Sequence, residues 1–336
     1  MRHVNIPVFI PHLGCPNACV FCNQRSISGC EAFDAASVEQ EIERALSTVG
    51  EDDAVEIAFF GGSFTGIDRA LMLELLERAE RYVTAGRVGG IRLSTRPDYV
   101  DEEILKILSH YSVRTVELGL QSMDDGVLSA CRRGHTAAQA REACRLVKAY
   151  GFELIGQMMI GLPASDVERE VATATALCEM GVDGARVYPT VVFEETELCE
   201  MTKRGVYEPL TLEDAVMRTK EVLDVFRKAD IPCIRVGLCA SENLASDKVY
   251  GGANHSAIGE LAMGEIYYEQ MCRLLDAQGD VKGKKVTFFV ARGAVSRAIG
   301  QKRRNIERIC KKYLPLRVKV LEKNEILGYN ITIEII

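Results

Sequence analysis

Three cysteines with the spacing C-x3-C-x2-C are the residues of this sequence best suited to chemistry. Cys15, Cys19 and Cys22 directly follow the apolar run NIPVFI, which predicts a strand. Thiolates are soft ligands, and three of them at this spacing can share one iron–sulfur cluster. Zinc sites usually take four protein ligands and ferredoxin clusters a fourth cysteine, but the next one, Cys30, lies eight residues further on. A [4Fe–4S] cluster held by three cysteines would leave one iron open; a zinc site, an electron-transfer cluster and three unrelated cysteines are the alternatives.

A pair of glycines marks a second candidate site. Gly61 and Gly62 lie in the segment FFGGSF, which ends the predicted strand EIAFF. Glycine lets the backbone approach a ligand closely, and the carboxyl ends of parallel strands form the active-site face of an α/β barrel. Taken alone, the pair indicates a turn, but beside a cysteine cluster it predicts a contact with a bound cofactor.

The elements that must position these residues alternate along the chain. The β-rich runs NIPVFI, EIAFF, IRLST, TVELGL, ELIGQMMI and ARVYPT are each followed by an amphipathic helical run. Consecutive β–α units with nearly continuous apolar strands require a parallel sheet covered by helices, and a repeat of about 30–40 residues is typical of a TIM-like barrel. The predicted fold class is α/β, a partial TIM barrel, (β/α)6, with a small α+β C-terminal domain. A doubly wound sheet is the alternative.

The cysteine segment resembles the signature of the radical S-adenosylmethionine superfamily, in which an aromatic residue, here Phe21, precedes the last cysteine. The resemblance implies that Cys15, Cys19 and Cys22 bind a [4Fe–4S] cluster. It further implies that the open iron is chelated by the methionine part of S-adenosylmethionine and that Phe21 packs near the adenine.

The glycine pair fits the same resemblance. A GGE-like motif at this place binds the methionine amino group in the superfamily, which implies a cofactor contact for Gly61 and Gly62, with Ser63 in place of the acidic residue. We expect Gly62→Val to weaken binding of S-adenosylmethionine and to leave the iron content near normal, because the cysteine loop is a separate segment of the chain.

Polar residues at other strand ends complete the predicted cofactor site. Arg96, Gln121 and Ser122 follow predicted strands and are candidate contacts for the carboxylate or the ribose hydroxyls of the cofactor. Arg96 has an alternative role as an ion-pair residue that orders the rim of the sheet. Tyr188, also at a strand end, is the candidate catalytic residue, whereas His135 is expected to be a hydrogen-bonded structural histidine.

Several further sequence segments resemble one family within this superfamily. The segments STRPD, ELGLQS, RGHT, GLP and VYPT are similar to those of the Elongator catalytic subunits, a family that modifies tRNA uridines, over residues 5–270. A weaker likeness exists to oxygen-independent coproporphyrinogen oxidases. Elongator catalytic subunits carry an acetyltransferase domain after the radical domain, and this chain ends too soon for one, so we expect no acetyl-CoA domain.

The C-terminal stretch differs from the rest in charge. Residues 282–325 hold 14 Lys and Arg but three acidic residues, a net charge of +11, which leaves −18 for the remainder of a chain whose total is −7. Such a basic stretch is typical of a module that contacts phosphates. The polar segment DAQGDVKGKK separates the two parts, which predicts a radical domain over residues 1–278 and a basic domain over residues 279–336.

The basic domain resembles a KH-type RNA-binding module. Its predicted order is strand, helix, helix, strand, strand, and IGQKRRNI is similar to the I-G-x-x-G-x-x-I core that clamps single-stranded RNA. The resemblance implies RNA contacts at Gly300, Lys302, Arg303 and Arg304, although Arg303 replaces the second glycine. The alternative is a solvated basic helix–loop–helix that caps the barrel.

The function that unites both parts is that of a radical enzyme modifying RNA, most simply tRNA. It would cleave S-adenosylmethionine to a 5′-deoxyadenosyl radical with one electron from a donor such as flavodoxin or ferredoxin. The alternatives are a radical enzyme for a small metabolite, like the coproporphyrinogen oxidases, and a non-enzymatic RNA-binding iron–sulfur protein. No apolar run reaches the ~18–20 residues of a membrane span and no secretory signal is visible, so we expect a cytoplasmic protein.

Overall fold

The computed structural model describes residues 2–10, 13–15, 19–23, 33–50, 52–238 and 248–336. Contacts divide the chain into two compact units. We call Met1–Thr211 with Val225–Ser256 the barrel unit, and Leu212–Asp224 with Ala257–Ile336 the C-terminal unit. Across the described ranges, no helix is long and apolar enough to span a membrane.

The barrel unit is built on a parallel sheet. Its strands are β1 (His3–Phe9), β2 (Ala54–Phe60), β3 (Gly90–Thr95), β4 (Val113–Gln121), β5 (Glu153–Ile160), β6 (Gly184–Pro189), β7 (Val191–Phe193), β8 (Cys233–Val236) and β9 (Val249–Gly252). Strands β1 to β6 and then β8 lie side by side in parallel, while β7 and β9 form a separate antiparallel pair. A doubly wound sheet would reverse its strand order at a switch point. The predicted partial TIM barrel is therefore confirmed, with β8 as a seventh parallel strand.

Helices follow the strands, and most of them begin at side-chain caps. They are α1 (Val38–Leu46), α2 (Arg69–Thr84), α3 (Glu102–Leu108), α4 (Asp125–Ala130), α5 (Ala137–Ala149), α6 (Val167–Glu179), α7 (Glu197–Lys203) and α8 (Leu212–Lys228). Asp68, Asp101, Asp124 and Asp166 each accept a hydrogen bond from a backbone N–H in the first turn of the helix that follows. Such caps are worth about 1 kcal/mol each and fix where the chain turns from strand to helix.

One face of the parallel sheet carries buried charges. The carboxylate of Glu117, which is 2% exposed, accepts hydrogen bonds from Arg92 Nη1 and Arg186 Nη2, both at 2.9 Å. Arg92 Nε donates to Glu56 Oε2 at 3.0 Å. Burial acts to lower the pKa of Arg92 and Arg186. The neighbouring carboxylates have the larger combined effect, so the pKa of each guanidinium is raised. The four side chains form one hydrogen-bonded network.

The C-terminal unit has the predicted strand–helix–helix–strand–strand order after a long helix. Its further elements are α9 (Ile258–Gln278), β10 (Lys285–Val290), α10 (Val295–Ile299), α11 (Arg304–Tyr313), β11 (Arg317–Glu322) and β12 (Ile331–Ile335). β10 is the central strand, parallel to β11 and antiparallel to β12. Tyr267, Met271 and Leu275 of α9 join its apolar core. The compact unit thus includes Leu212–Asp224 and all of α9, whereas the domain boundary predicted from the sequence follows residue 278.

Candidate active site

The predicted cysteine segment lies in the connection between strand β1 and helix α1. Cys19 is buried, Cys15 and Cys22 are half-buried, and residues 16–18 lie outside the described residues, as does Cys30. The backbone N–H of Cys22 donates to the carbonyl of Cys19 at 3.0 Å, and Val20 N–H donates to the carbonyl of Cys131 at 3.2 Å. The second of these bonds ties the segment to the end of helix α4.

Arg133 contacts the cysteine segment directly. Its Nη1 lies 3.6 Å from the sulfur of Cys19, and its Nη2 donates to the carbonyl of Gly119 at 2.7 Å. A Cβ atom at Gly119 would lie 2.9 Å from Nη2, so a side chain there would have to shift the guanidinium from its position beside Cys19. Burial raises the pKa of Cys15, while Arg133 and Arg96 act in the opposite direction. Because the thiolate is the metal-binding form, two nearby guanidinium groups suit a cluster site.

Unpartnered polar atoms collect beside the cysteines. Among the described side chains, Arg96 Nη1, Arg133 Nε and Gln121 Oε1 are buried and have no hydrogen-bond partner. Buried polar groups are normally paired, so these two donors and one acceptor point to a bound polar molecule. An amino-acid carboxylate could accept from the guanidinium groups, and a hydroxyl could donate to the amide oxygen. The thiols and these atoms together fit an iron–sulfur cluster with S-adenosylmethionine.

Gln121 is held in an unusual backbone conformation. Its φ is 66°, and the pairing of β4 with β5 shifts register between Gly119 and Gln121. Left-handed φ values are uncommon for residues other than glycine and cost of order 1–3 kcal/mol, and they concentrate at binding sites. The bulge turns the end of β4 so that the buried amide of Gln121 lies in the pocket rather than continuing the alternation of the strand.

The remaining predicted cofactor residues have partners within the protein. Arg96 forms a bidentate ion pair with Asp98 at 2.9 and 2.8 Å, as the alternative role predicted, yet keeps one free N–H. Ser63 Oγ lies 2.8 Å from Thr95 Oγ1 and accepts from the backbone N–H of Arg96. Ser122 Oγ accepts from a backbone N–H at 3.1 Å. The hydroxyl groups of the two serines therefore hydrogen-bond to other protein groups at the edge of the site.

Phe21, Tyr188 and His135, the other residues singled out from the sequence, lie in three different settings. Phe21 is half-buried and packs against the apolar cluster that contains Val20 and Leu162. Tyr188 follows Arg186 on the polar face of β6, 3.4 Å from its guanidinium, and burial raises its pKa. His135 is 4% exposed with Nε2 3.2 Å from the Leu120 carbonyl, and burial lowers its pKa to about 4. His135 is a neutral, hydrogen-bonded residue at neutral pH.

The described side chains do not form a preformed site with three metal ligands. Within the described part of the chain, no three His, Cys, Asp or Glu side chains are close enough together to hold a metal ion. The assignment of Cys15, Cys19 and Cys22 as cluster ligands stays a prediction, supported by the position of Cys15 and Cys19 near Arg133.

The glycine pair is in contact with the cysteine loop. Gly61 has a φ of 99°, and a Cβ atom at Gly62 would lie 2.4 Å from the backbone oxygen of Leu13 and 2.6 Å from that of Ile10. Ser63 N–H donates to the Leu13 carbonyl at 3.1 Å. The expectation that the cysteine loop is separate from Gly62 is wrong, because the two segments share a backbone contact.

We therefore expect Gly62→Ala to lower both iron content and binding of S-adenosylmethionine. A methyl group at this position must displace the backbone that leads into Cys15. Gly86→Ala is the matched control, since it strains a turn with a φ of 71° but meets no atom within 4 Å. Iron content per chain after anaerobic reconstitution gives the comparison. A Gly62→Ala protein with full iron would show that the cysteine loop tolerates this displacement.

Two family models match the chain in succession. One, described as Radical SAM superfamily, matches residues 9–175, and the other, described as Radical_SAM C-terminal domain, matches residues 182–268. The cysteines, Arg96, Gln121 and Arg133 lie within the first match, and Tyr188 lies within the second.

Curated relatives match over part of their length. The chain is 30% identical to a tRNA uridine(34) acetyltransferase of Methanocaldococcus jannaschii over 172 residues, which are 50% of this chain and 31% of the relative. It is 26% identical to Elongator complex protein 3 of Homo sapiens over 296 residues, with 75% of this chain and 53% of the relative covered. The chain thus spans about half or less of the length of these relatives.

Solved structures show the same fold. An archaeal Elp3 from Methanocaldococcus infernus superimposes with a TM-score of 0.62 at 22% identity, covering 80% of this chain and 63% of that one. Methylornithine synthase superimposes with a TM-score of 0.52 at 17% identity, covering 76% of each chain. Both similarities establish the architecture of the parallel sheet.

Proposed function

Because this chain belongs to the radical S-adenosylmethionine superfamily and is similar to Elongator catalytic subunits, we propose that it is a radical enzyme that modifies RNA, with tRNA as the substrate. The cofactors of the superfamily are a [4Fe–4S] cluster and S-adenosylmethionine. The observation that carries the RNA proposal is the joining of this radical domain to a strongly basic C-terminal stretch in one chain. Two of its relatives bear names that describe acetylation of tRNA uridine 34.

The contacts of the pocket residues suggest a role for each of them. Cys15, Cys19 and Cys22 would hold the cluster, and Arg133 would compensate the negative charge of the thiolate at Cys19. Arg96 and Gln121 would bind S-adenosylmethionine through their unpartnered atoms. When bound and reduced by one electron, the cofactors supply a 5′-deoxyadenosyl radical. We propose flavodoxin or ferredoxin as the class of electron donor.

The loop before α11 is the proposed phosphate contact. Lys302 and Arg303 are exposed and have φ values of 50° and 65°, a left-handed conformation that favours glycine. Arg303 stands where the second glycine of a KH-type core would lie, so the loop keeps a glycine-like backbone while it presents a cation. Asn305 holds the loop through hydrogen bonds to the carbonyls of Gly264 and Ala298 at 2.8 and 3.2 Å. A strained backbone at two exposed, positively charged residues supports a role in binding.

We predict that replacing Lys302, Arg303 and Arg304 together by alanine weakens RNA binding and flattens its dependence on salt. Each phosphate neutralised on a single strand contributes about −0.7 to the slope of log affinity against log salt concentration, so the slope should change by up to about 2. Fluorescence anisotropy with a labelled tRNA, repeated at several salt concentrations, measures this.

The matched control replaces Arg81, Arg132 and Arg145, three exposed arginines of the barrel unit, by alanine. It should leave the slope unchanged. Equal slopes for the wild type and the loop variant would remove the loop from RNA recognition, and equal losses in both variants would mean that binding follows total charge alone.

The proposed activity has a direct test in vitro. Anaerobically reconstituted protein, reduced and given S-adenosylmethionine, should release 5′-deoxyadenosine, and addition of tRNA should increase its rate of formation. A metabolite enzyme would form 5′-deoxyadenosine without any response to RNA, and a non-enzymatic RNA-binding protein would form none.

A further inference from the structure

The three-stranded sheet of the C-terminal unit has a second face that its core does not use. Along β10, Val286, Phe288 and Val290 are at most 1% exposed and belong to the core. Side chains alternate between the two faces of a strand, so Lys285 and Phe289 lie on the other face. We call this the outer sheet face.

Strand pairing places further residues on the outer sheet face. In the parallel ladder, Lys285 lies opposite Arg317 and Phe289 lies opposite Leu321. Lys319 lies between these two pairs, opposite Thr287. Paired residues of neighbouring strands project to the same side. An aromatic and an aliphatic side chain therefore sit next to a row of cations.

The apolar residues of this face are accessible to solvent. Leu321 is 46% exposed and Phe289 is half-buried, although residues on both sides of Phe289 in the strand are fully buried. The ammonium group of Lys323 lies 5.9 Å from the centre of the Phe289 ring. A phenylalanine on an open sheet face, beside a cation, has no role in the core of this unit.

The charges around Phe289 favour an anionic partner. Lys285, Arg317 and Lys319 are exposed, and among the described residues none of the three pairs with a carboxylate. The ammonium group of Lys323 lies 4.0 Å from the carboxylate of Glu325. On strand β12, Glu334 lies opposite Thr287 and adds one acidic side chain to this face. The cations outnumber the acids, as phosphate binding requires.

We infer that the outer sheet face binds single-stranded RNA, with a nucleobase stacked on Phe289 and phosphates at Lys285, Arg317 and Lys319. Sheet-borne aromatic residues flanked by cations bind unpaired bases in this way, and a duplex could not offer the face of a base. The inference rests on the proposed function, and it adds a second RNA surface, since the loop before α11 belongs to the helical layer on the inner side of the sheet.

The test uses the full chain and a fluorescein-labelled twelve-nucleotide oligouridine, with affinity measured by anisotropy at several salt concentrations. Base–aromatic stacking is worth about 1–3 kcal/mol, so Phe289→Ala should weaken binding about 5- to 150-fold and leave the salt slope unchanged. Phe289→Tyr should bind like the wild type, whereas Phe289→Leu, which keeps the apolar volume but not the ring, should bind as weakly as Phe289→Ala. Lys319→Gln should flatten the slope by about 0.7.

Tyr150→Ala is the matched control, because Tyr150 is an aromatic residue of the barrel unit that is 37% exposed. It should not change the affinity. Wild-type affinity for Phe289→Leu would overturn the stacking proposal. If the loop variant lost binding while Phe289→Ala and Phe289→Leu kept it, RNA recognition would stand and the outer sheet face would not be part of it. If the wild type bound neither oligouridine nor tRNA, the proposed function itself would fail.

Discussion

Replacing Cys15, Cys19 or Cys22 by alanine is expected to abolish both the [4Fe–4S] cluster and the formation of 5′-deoxyadenosine. Three thiolates leave one iron open for S-adenosylmethionine, so the loss of one leaves two ligands for four irons. The contact of Arg133 with Cys19 at 3.6 Å places a compensating charge at this segment. Iron and sulfide content, the visible absorption of the cluster and product formation after reduction measure the effect together.

Cys131 and Cys144 provide stringent controls for this prediction. Both are buried, and burial raises the pKa of each thiol to about 12, which leaves them protonated. Cys131 is also close to Cys19, whose charge contributes to the shift. Each single alanine variant should keep its cluster. Loss of iron on replacing Cys30, which lies outside the described residues, would contradict a site with three ligands.

Glu117→Gln is expected to be the most destabilising single change in the barrel unit among those considered. Its carboxylate is 2% exposed and lies between the guanidinium groups of Arg92 and Arg186. Breaking a buried ion pair on one side costs about 3–5 kcal/mol, because the remaining charge is buried without compensation. The midpoint of urea unfolding of the apoprotein, followed by far-ultraviolet circular dichroism, measures the loss.

Glu142→Gln is the matched control for this substitution. Glu142 pairs with Arg145 on the surface of α5, where solvent screens the charges and such pairs contribute little. It should leave the midpoint unchanged within error. A similarly small effect of Glu117→Gln would mean that water or a neighbouring carboxylate replaces the lost charge, and that the network does not stabilise the sheet.

The barrel could be predicted from the sequence because its signals are local. The alternation of apolar strands with helices that begin at Asp68, Asp101 and Asp166 is visible in the order of residues, and so is the cysteine spacing. Sheet order then follows from the preference of β–α units for neighbouring parallel strands.

Contacts between distant segments could not be predicted in the same way. Arg133 could not be identified as a site residue from the sequence, because its contact with Cys19 joins residues 114 positions apart. The backbone contact between Gly62 and Leu13 has no signature in residue type. The signal in the sequence is the arginine of the segment RGHT, a cation that follows the predicted strand end ELGLQS closely along the chain.

The extent of the C-terminal unit was also hidden from the sequence. The charge changes sign near residue 280, but Tyr267, Met271 and Leu275 of α9 lie in the apolar core that contains Phe288. Charge reports on the surface of a unit, whereas its limits are set by packing. A prediction from composition therefore finds the basic part and misses the acidic helix against which it folds.

The central claim, that this radical enzyme modifies RNA, is tested most directly by mass spectrometry of nucleosides from cellular tRNA. Cells that carry the gene, cells that lack it, and cells that carry the Cys19→Ala variant provide the comparison. The account predicts one modified nucleoside that disappears without the gene, returns with the wild-type gene, and does not return with the variant. Identical nucleoside profiles in all three, from protein that forms 5′-deoxyadenosine in vitro, would contradict it and assign the radical to another substrate.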